Sequence, residues 1–237
     1  MRKAAAIWQA EGEEKRNAVQ SMFAAIAPNY DRVNSLMSFS LHKKWRESAV
    51  ATLNLREGDS ALDLCCGTGD FLIPLRAKVG SSGDLVGIDF CEPMLQQAKV
   101  KDKATLLLGD ATQIPLADES VDGVTVGWGI RNVPDIDQTH REIHRVLKPG
   151  KRFVSLDMAM PENSVVRGLA RFVGKHILPR VGARFGAEQA YTYLPESTVR
   201  FWDRARLAES MRVAGFVDVG HRDLFLGNIC LHWGTKS

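Results

Sequence analysis

The chain has 237 residues, a net charge of +3 and an apolar fraction of 45%. These values fit one α/β domain with additions, or at most two small domains. The small net charge offers no surface for tracking the phosphates of a nucleic acid, and no segment approaches the roughly 20 apolar residues of a membrane-spanning helix. The four cysteines lack zinc-ligand spacing, which predicts no metal site and reduced thiols in a cytoplasmic-type compartment.

Two helices are predicted ahead of the first strand. Apolar residues recur at helical spacing within residues 17–27 and again within residues 42–54. Residues 1–16 are polar and mixed, lack the apolar stretch of a secretory signal, and are expected to be frayed. We therefore expect residues 1–54 to form a helical cover over the ligand edge of a sheet that residues 55–237 build.

A glycine turn organises the rest of the chain. Ala61–Leu64 is predicted to be a short buried strand and Cys65–Gly69 a tight turn before a helix, because glycine lets the backbone bend and a ligand approach. The third glycine of the dinucleotide fingerprint is missing, since Leu72 occupies that position. Asp63 and Asp70 flank the turn and would repel a pyrophosphate. They would suit a cationic ligand such as S-adenosylmethionine, which carries an amine and a sulfonium.

Strands and helices then alternate along the chain. Further strands are predicted at residues 85–89, 105–108, 121–128, 152–157, 216–224 and 228–233, and further helices at residues 93–101, 137–147, 164–178 and 197–214. This alternation predicts a mostly parallel sheet of seven strands, with the last two forming a hairpin at its edge. Residues 161–195 are expected to be a helical insertion after the fifth strand.

Acidic or small residues fall at or near the carboxyl ends of the predicted strands, where ligands of parallel sheets bind. They are Asp63, Asp89, Asp110, Gly127 and Asp157. Asp89 follows the glycine turn by 20 residues, the distance at which an acid accepts hydrogen bonds from ribose hydroxyls. Asp110 would accept from an adenine amino group, Ala111 would donate its backbone N–H to the ring, and Gly127 leaves room for a methionine portion.

The predicted helix at residues 164–178 carries a basic stripe. Arg167, Arg171 and Lys175 are each four residues apart and share one face. Such a helix can lie on an anionic lipid surface, or the stripe can be the solvated face of an ordinary packed helix. The sequence leaves both interpretations open.

Four segments carry a resemblance to a known family. They are Tyr30-Asp31-x-x-Asn34-x-x-Met37-Ser38-x-x-x-His42-x-x-Trp45, Asp63-Leu64-x-x-Gly67-Thr68-Gly69-Asp70, Gly129-Ile130-Arg131-Asn132-Val133 and Arg145-Val146-Leu147-Lys148-Pro149-Gly150-x-Arg152. In their order the chain resembles class I S-adenosylmethionine-dependent methyltransferases, and among these the UbiE/COQ5 family of ubiquinone/menaquinone C-methyltransferases. The likeness runs from about Val19 to the C-terminus. Departures are Val33 for methionine, Lys151 for glycine, and Asp157-Met158 where Glu-Phe is usual.

The resemblance implies a three-layer sandwich around a Rossmann-like sheet and S-adenosylmethionine as cofactor. It places the donor on Thr68, Asp89, Asp110, Ala111 and the backbone of Gly127. The geometry and charge of the glycine turn add Asp63, Gly67 and Gly69 to the predicted donor site. It places the acceptor ring against Tyr30, Arg131 and Asn132. In the implied reaction Arg131 stabilises a phenolate and positions a water as proton acceptor, Asn132 holds that water or a ring oxygen, and Tyr30 closes over the ring.

The implied function is C-methylation of a prenylated hydroquinone, with demethylmenaquinol or demethylphylloquinol favoured over 2-methoxy-6-polyprenyl-1,4-benzoquinol of ubiquinone biosynthesis. Cys65-Cys66 before the glycine turn resembles members from oxygenic phototrophs, so a plastid or thylakoid surface is a second candidate location. Three different functions compete with this one: a nicotinamide-dependent oxidoreductase, a non-catalytic donor-binding subunit, and a methyltransferase for a sterol or an RNA base. The expected partners are a lipidic quinol, a peripheral membrane contact and a second copy in a homodimer, with no nucleic acid.

Overall fold

A computed structural model describes residues 12–237 of the chain. Its elements are α1 (Gly12–Ile26), α2 (Tyr30–Met37), α3 (Leu41–Thr52), β1 (Ala61–Leu64), α4 (Leu72–Val79), β2 (Leu85–Asp89), α5 (Glu92–Ala98), β3 (Thr105–Leu108), β4 (Val121–Gly127), α6 (Ile136–Val146), β5 (Leu147–Met158), α7 (Ser164–His176), α8 (Leu178–Arg184), α9 (Glu188–Arg200), α10 (Arg204–Val213), β6 (Phe216–Leu224) and β7 (Ile229–Lys236). The fraying predicted for residues 1–16 is wrong for residues 12–16, which open α1. The remainder of that prediction lies outside the described residues.

The strands form one seven-stranded sheet in the order β3-β2-β1-β4-β5-β7-β6. β1 lies between β2 and β4, both parallel to it, and β7 is antiparallel to β5 and β6. The predicted mostly parallel sheet with a terminal hairpin is therefore confirmed. Because the five parallel strands end at one edge, the glycine turn after β1 meets the ends of β2, β4 and β5 there.

Helices cover both faces of the sheet. Ala49 and Val50 of α3 and Leu75 of α4 join one apolar core with Leu156 of β5. A second core on the other face joins α6 and α10 to the sheet, with members such as Ile143, Leu207 and Phe153. Each core excludes water from one side of the strands, which is the three-layer arrangement expected of a parallel sheet.

A third apolar cluster holds the N-terminal helices over the carboxyl edge of the sheet. Val19 and Met22 of α1 and Val33 of α2 pack with Met94 of α5 and Tyr191 of α9. The cover therefore rests partly on the segment predicted as an insertion. The division into a cover of residues 1–54 and a main domain of residues 55–237 stays a prediction.

The predicted helix at residues 197–214 is wrong as a single element. α9 ends at Arg200 and α10 begins at Arg204, and the side chain of Asp203 caps α10 by accepting a hydrogen bond from the Arg206 N–H at 2.8 Å. An N-cap aspartate satisfies a backbone donor that the first turn of a helix leaves unpaired, so it starts a new helix. The break places Phe201 and Trp202 between the two helices.

Candidate active site

A cleft lies at the carboxyl edge of the sheet, between the glycine turn and the helices α1 and α2. It encloses about 730 Å³ of empty space, its mouth included. Its walls include seven predicted site residues: Tyr30, Gly67, Asp89, Asp110, Ala111, Gly127 and Asn132. The other four, Asp63, Thr68, Gly69 and Arg131, do not line the cleft. The structure thus brings most of the predicted donor and acceptor residues to one place.

The two glycines of the turn serve different purposes. Both have the positive φ that favours glycine, +53° at Gly67 and +80° at Gly69. A Cβ on Gly67 would meet nothing within 4 Å and would enter the cleft. A Cβ on Gly69 would lie 2.9 Å from Leu72 and 3.0 Å from Ala98. Gly67 therefore keeps a ligand's place open, whereas Gly69 lets α4 and α5 approach the turn.

Two backbone N–H groups hold the Asp89 carboxylate at the end of β2. Its carboxylate accepts hydrogen bonds from the Gly67 N–H at 2.8 Å and the Cys91 N–H at 2.9 Å. Burial raises the pKa of this carboxyl to about 6, against the lowering effect of these backbone donors. Each oxygen keeps acceptor capacity toward the cleft, so Asp89 can receive a pair of hydroxyl donors.

Asp110 faces the same cleft from the loop after β3. One oxygen accepts from the backbone N–H and the hydroxyl of Thr112, at 2.8 and 2.7 Å. The other pairs with Arg16 of α1 at 3.0 Å. Arg16 therefore borders the cleft from the cover. Sequence reasoning missed this role, because the polar composition around Arg16 indicated a frayed segment.

Sequence reasoning also missed several aromatic and apolar residues that line the cleft. Phe23, Phe90, Met94, Trp128 and Pro134 line the cleft. Phe90 and Met94 stand beside Asp89, one on each side of the start of α5. Their positions after an acidic strand end could have suggested a flat apolar slot for a heterocycle.

The two carboxylates beside the glycine turn do not present an unpaired negative pair, as their predicted repulsion of a pyrophosphate requires. Asp63 is buried; one oxygen accepts from the Thr125 hydroxyl at 2.8 Å, and the other has no partner among residues 12–237. Burial raises the pKa of Asp63 to about 8, so it is mostly neutral at pH 7. Asp70 is paired with Arg46 at 3.2 Å and with Lys101. The predicted repulsion of a pyrophosphate by these two residues is therefore wrong.

The raised pKa of Asp63 predicts a pH-dependent stability. The unfolded carboxyl ionises near its ordinary pKa of about 4, whereas the folded one stays protonated to about 8. In the donor-free protein, the pKa difference of Asp63 does not lower the free energy of unfolding below pH 4. Between pH 4 and pH 8 it lowers that free energy by up to about 1.4 kcal/mol per pH unit. Asp63→Asn should therefore gain stability relative to wild type as pH rises from 5 to 8, measured by urea unfolding. A constant difference across that range would contradict the assignment.

Thr68 connects the glycine turn to the cover. Its hydroxyl donates to Asp31 of α2 at 2.6 Å and accepts from Lys101 at 3.2 Å, and Lys101 also pairs with Asp31 at 2.6 Å. The hydroxyl is thus engaged away from the residues that line the cleft. Thr68 holds α2 on the turn, and its predicted contact with the donor stays a prediction.

Arg131 and Asn132 share an acceptor just beyond β4. The Arg131 guanidinium donates to the Trp128 carbonyl at 2.9 Å and pairs with buried Asp157. The Asn132 amide donates to the same carbonyl at 3.1 Å, and its oxygen accepts from the Tyr193 hydroxyl at 2.8 Å. Asn132 lines the cleft, whereas Arg131 lines a different cavity. Tyr193 comes from α9, 61 residues away in the chain, so no local pattern could have indicated it.

Two further cavities border the Arg131–Asp157 pair. Arg131 and Tyr193 line one of them, and Asp157 and Met158 line the other. Phe201 and Trp202, at the break between α9 and α10, line both. Within residues 12–237, no three His, Cys, Asp or Glu side chains are grouped to hold a metal ion.

Sequence comparison decides the family. The profile of the ubiE/COQ5 methyltransferase family matches residues 9–236. The chain belongs to the ubiE/COQ5 methyltransferase family. It is 38% identical to demethylmenaquinone methyltransferase of Lactiplantibacillus plantarum, over 92% of this chain and 96% of that protein. It is 40% identical to demethylmenaquinone methyltransferase of Halalkalibacterium halodurans, over 95% of each.

Solved structures agree with the fold. An S-adenosylmethionine-dependent methyltransferase from Thermotoga maritima has a TM-score of 0.67 and 20% identity, covering 92% of this chain and 99% of that one. One from Aquifex aeolicus has a TM-score of 0.61 and 21% identity, covering 86% and 96%. The predicted family, fold, methyltransferase activity and S-adenosylmethionine cofactor are confirmed. The nicotinamide-dependent function is set aside.

Proposed function

We propose that this family member methylates a ring carbon of demethylmenaquinol, with S-adenosylmethionine as the donor. One observation carries the proposal: Gly67 and Asp89, suited to the donor, and Tyr30 and Asn132, suited to the acceptor ring, line a single cleft. Methyl transfer requires the two substrates to meet in one enclosed space. The demethylmenaquinone methyltransferase names of the relatives favour this quinol over a sterol or a nucleic acid base.

The cleft residues fit the donor. The open space over Gly67 accepts close approach of its backbone, and the two Asp89 oxygens accept the ribose hydroxyls. Phe90 and Met94 flank the adenine. Asp110 accepts from its amino group, and the backbone N–H of Ala111 donates to the ring. When bound, the donor supplies a methyl group on a positively charged sulfur.

The acceptor must be activated by the chain's own residues. A phenol carbon is a weak nucleophile, and loss of the hydroxyl proton moves negative charge onto the ring. The Arg131 guanidinium keeps its charge at any working pH and stabilises that charge. Tyr30 and Asn132 hold the ring against the Trp128 side of the cleft. Alignment of the reacting atoms can supply about 7–11 kcal/mol of the barrier reduction.

The direct test is an assay of the purified chain with S-adenosylmethionine and a chemically reduced short-chain demethylmenaquinol, read by mass spectrometry. We expect a product heavier by one methylene unit, with the new methyl group on the quinone ring. A competition assay that adds demethylphylloquinol and a polyprenyl benzoquinol ranks the three quinols by their rates of methylation. Absence of methylation of all three would overturn the proposal and favour a non-catalytic donor-binding subunit.

The lipidic substrate raises the question of membrane contact, and helix α7 supports it. Val165, Leu169 and Phe172 lie on one face and are 79%, 62% and 57% exposed. On the opposite face Gly174 is buried, and a Cβ there would lie 2.9 Å from Pro195 of α9. The helix therefore packs closely at Gly174 and leaves large apolar side chains in solvent, which favours an interfacial role over the ordinary packed helix.

The charge around α7 matches an anionic lipid surface. Residues 163–187 contain no Asp or Glu and carry Arg167, Arg171, Lys175, Arg180 and Arg184. The five cations exceed the net charge of the whole chain, +3, so the remaining residues are net negative. Among residues 12–237 no carboxylate forms an ion pair with any of the five. Cations flanking an exposed apolar stripe complement anionic headgroups above an acyl layer.

Flotation with anionic liposomes tests this contact. Leu169→Ser combined with Phe172→Ser should reduce binding by at least tenfold, because burying each side chain contributes about 1.5–3 kcal/mol. Arg171→Glu with Lys175→Glu should do the same and lower the salt dependence, at about 1 kcal/mol per cation. Val213→Ser, an exposed apolar change on α10, is the matched control. Equal binding by all variants would contradict the contact.

No helix within residues 12–237 is long and apolar enough to span a bilayer. The homodimer and the plastid location stay predictions. If α7 formed a dimer interface instead, the wild type would not bind liposomes. The variant with Leu169→Ser and Phe172→Ser would then be monomeric in light scattering.

A further inference from the structure

Large apolar side chains are exposed at the turn between β6 and β7. Phe225 and Leu226 are 51% and 77% exposed, and their φ angles, +46° and +56°, are rare for large side chains. Neither feature stabilises the fold. The end of β6 is nevertheless tied to α3, since the Arg222 guanidinium donates to the Ser48 hydroxyl at 2.6 Å. A strained turn that is fixed in place and keeps its apolar side chains in solvent indicates a binding role.

An aromatic strip connects this turn with the cleft. The ring centre of Phe225 lies 5.4 Å from that of Trp45 on α3, and the ring centre of Trp45 lies 6.5 Å from that of Trp128. Both tryptophans are half-buried, and Trp128 lines the cleft. The Arg46 guanidinium lies over the Trp128 ring, 4.6 Å from its centre, and helps to fix it by a cation–π contact. The three rings therefore form a continuous apolar surface from the cleft to solvent.

The aromatic strip begins at the acceptor side of the cleft. The Asn132 amide, which the proposed mechanism assigns to the quinol ring, donates to the Trp128 carbonyl at 3.1 Å, and both residues line the cleft. A prenyl tail is bonded to the same ring, and its exposure to water is unfavourable. The tail is therefore expected to leave the cleft along an apolar wall close to Asn132, and the Trp128 side chain is such a wall.

The neighbouring cavity is a poorer match for a hydrocarbon chain. Val133 and Pro134 line both the cleft and this cavity, and Phe201 and Trp202 give it some apolar surface. Its walls also carry charged side chains, those of Lys15, Arg131, Asp135 and Arg200. A tail placed there would remove these charges from water without supplying a polar partner, which costs free energy. The aromatic strip carries no such cost.

We propose that the strip formed by Trp128, Trp45, Phe225 and Leu226 binds the prenyl tail of the quinol. This inference rests on the proposed quinol methylation and assigns a place to the lipidic part of that substrate. The contacts are apolar and involve no bond making or breaking. Isoprene units packed along the rings remove apolar surface from water on both sides, so each unit that reaches the strip adds to the affinity for the quinol.

The outer end of the strip lies beside the loop that leads into α7. A Cβ on Gly227 would be 3.4 Å from the Pro161 Cα, and α7 begins three residues after Pro161, at Ser164. A tail longer than the strip can therefore continue into the lipid surface that α7 is proposed to contact. The quinol ring can then occupy the cleft while the far end of the tail stays among the acyl chains.

The test measures how much a tail improves catalysis, without lipid vesicles so that membrane contact does not contribute. The full chain methylates a tail-free naphthoquinol and its geranyl derivative at saturating S-adenosylmethionine, and the ratio of the two kcat/KM values is the tail advantage. Wild type should favour the geranyl substrate. Phe225→Asn combined with Leu226→Asn should lower the tail advantage by about tenfold, which corresponds to losing roughly 55 Å² of apolar contact.

The substitutions are chosen to preserve the fold. Asparagine tolerates a positive φ better than phenylalanine or leucine does, and an effect on folding or chemistry lowers both kcat/KM values and cancels in their ratio. Val213→Asn, an exposed apolar change on α10, is the matched control and should keep the wild-type tail advantage. An unchanged tail advantage in the variant with Phe225→Asn and Leu226→Asn would overturn the proposal.

Wild-type kinetics separate this inference from the proposed function. Equal kcat/KM values for the tail-free and the geranyl substrate would overturn tail binding while leaving quinol methylation intact. If wild type methylates neither substrate, the proposed function fails and the inference falls with it.

A photoreactive tail locates the binding site directly. A geranyl quinol that carries a diazirine at the end of its tail is irradiated on the full chain, and the labelled peptides are identified by mass spectrometry. Peptides that contain Trp45 or Phe225 should carry the label. Label confined to peptides that contain Arg200 or Trp202 would place the tail in the charged cavity and overturn the proposal.

Discussion

Arg131→Ala is expected to lower kcat by more than about tenfold, a loss of at least 1.4 kcal/mol of transition-state stabilisation. The guanidinium lies beside Trp128 and Asn132 at the acceptor side of the cleft. Donor affinity should change little, because Arg131 does not line the cleft that Asp89 and Gly67 share. Calorimetry with S-adenosylhomocysteine and steady-state kinetics with the quinol measure the two quantities separately.

The same substitution should also destabilise the protein. It leaves Asp157 buried and unpaired, which costs about 3–5 kcal/mol when one partner of a buried pair is removed. Turnover is therefore normalised to the folded fraction from a urea titration. Arg212→Ala, which removes an exposed pair with Glu209 at 3.3 Å, is the control and should change stability by less than about 1 kcal/mol. Near-normal turnover of folded Arg131→Ala would remove Arg131 from the mechanism.

Asp89→Ala is expected to weaken donor binding by at least about 100-fold. Two hydrogen bonds from the ribose hydroxyls to a charged acceptor would be lost, each contributing about 1.5–3 kcal/mol. Calorimetry with S-adenosylhomocysteine checks this directly. Asp84→Ala, an exposed acid one residue before the start of β2, is the matched control and should bind normally.

The raised pKa of Asp89 also predicts that donor affinity depends on pH. Because burial raises that pKa to about 6, the free protein protonates Asp89 as pH falls through 6, and donor binding must then expel the proton. Wild-type affinity should therefore decline between pH 7 and pH 5, while that of Asp89→Asn should vary less. Equal affinity of wild type and Asp89→Ala at pH 7 would exclude the ribose role.

The sequence was most informative where backbone geometry fixes function. Alternating strands and helices force the strand ends to one edge, so the places of Gly67, Asp89 and Gly127 followed from their position at strand ends. Gly67 is the clearest case, since its missing Cβ leaves open space in the cleft.

The sequence was least informative about which charged side chains form ion pairs with one another. Asp63 and Asp70 look alike beside the turn, yet one is neutral through burial and the other is paired with Arg46 and Lys101. Such pairings depend on tertiary contacts between segments far apart in the chain. Tyr193 contacts Asn132 for the same reason, because only the fold brings α9 to the turn that follows β4.

A crystal structure with S-adenosylhomocysteine tests the central claim most directly. We expect the ligand in the cleft, with its ribose hydroxyls on Asp89, its chain over Gly67, and its sulfur directed toward the side formed by Tyr30 and Asn132. A ligand bound elsewhere, or a sulfur turned away from Asn132 and Arg131, would contradict that claim.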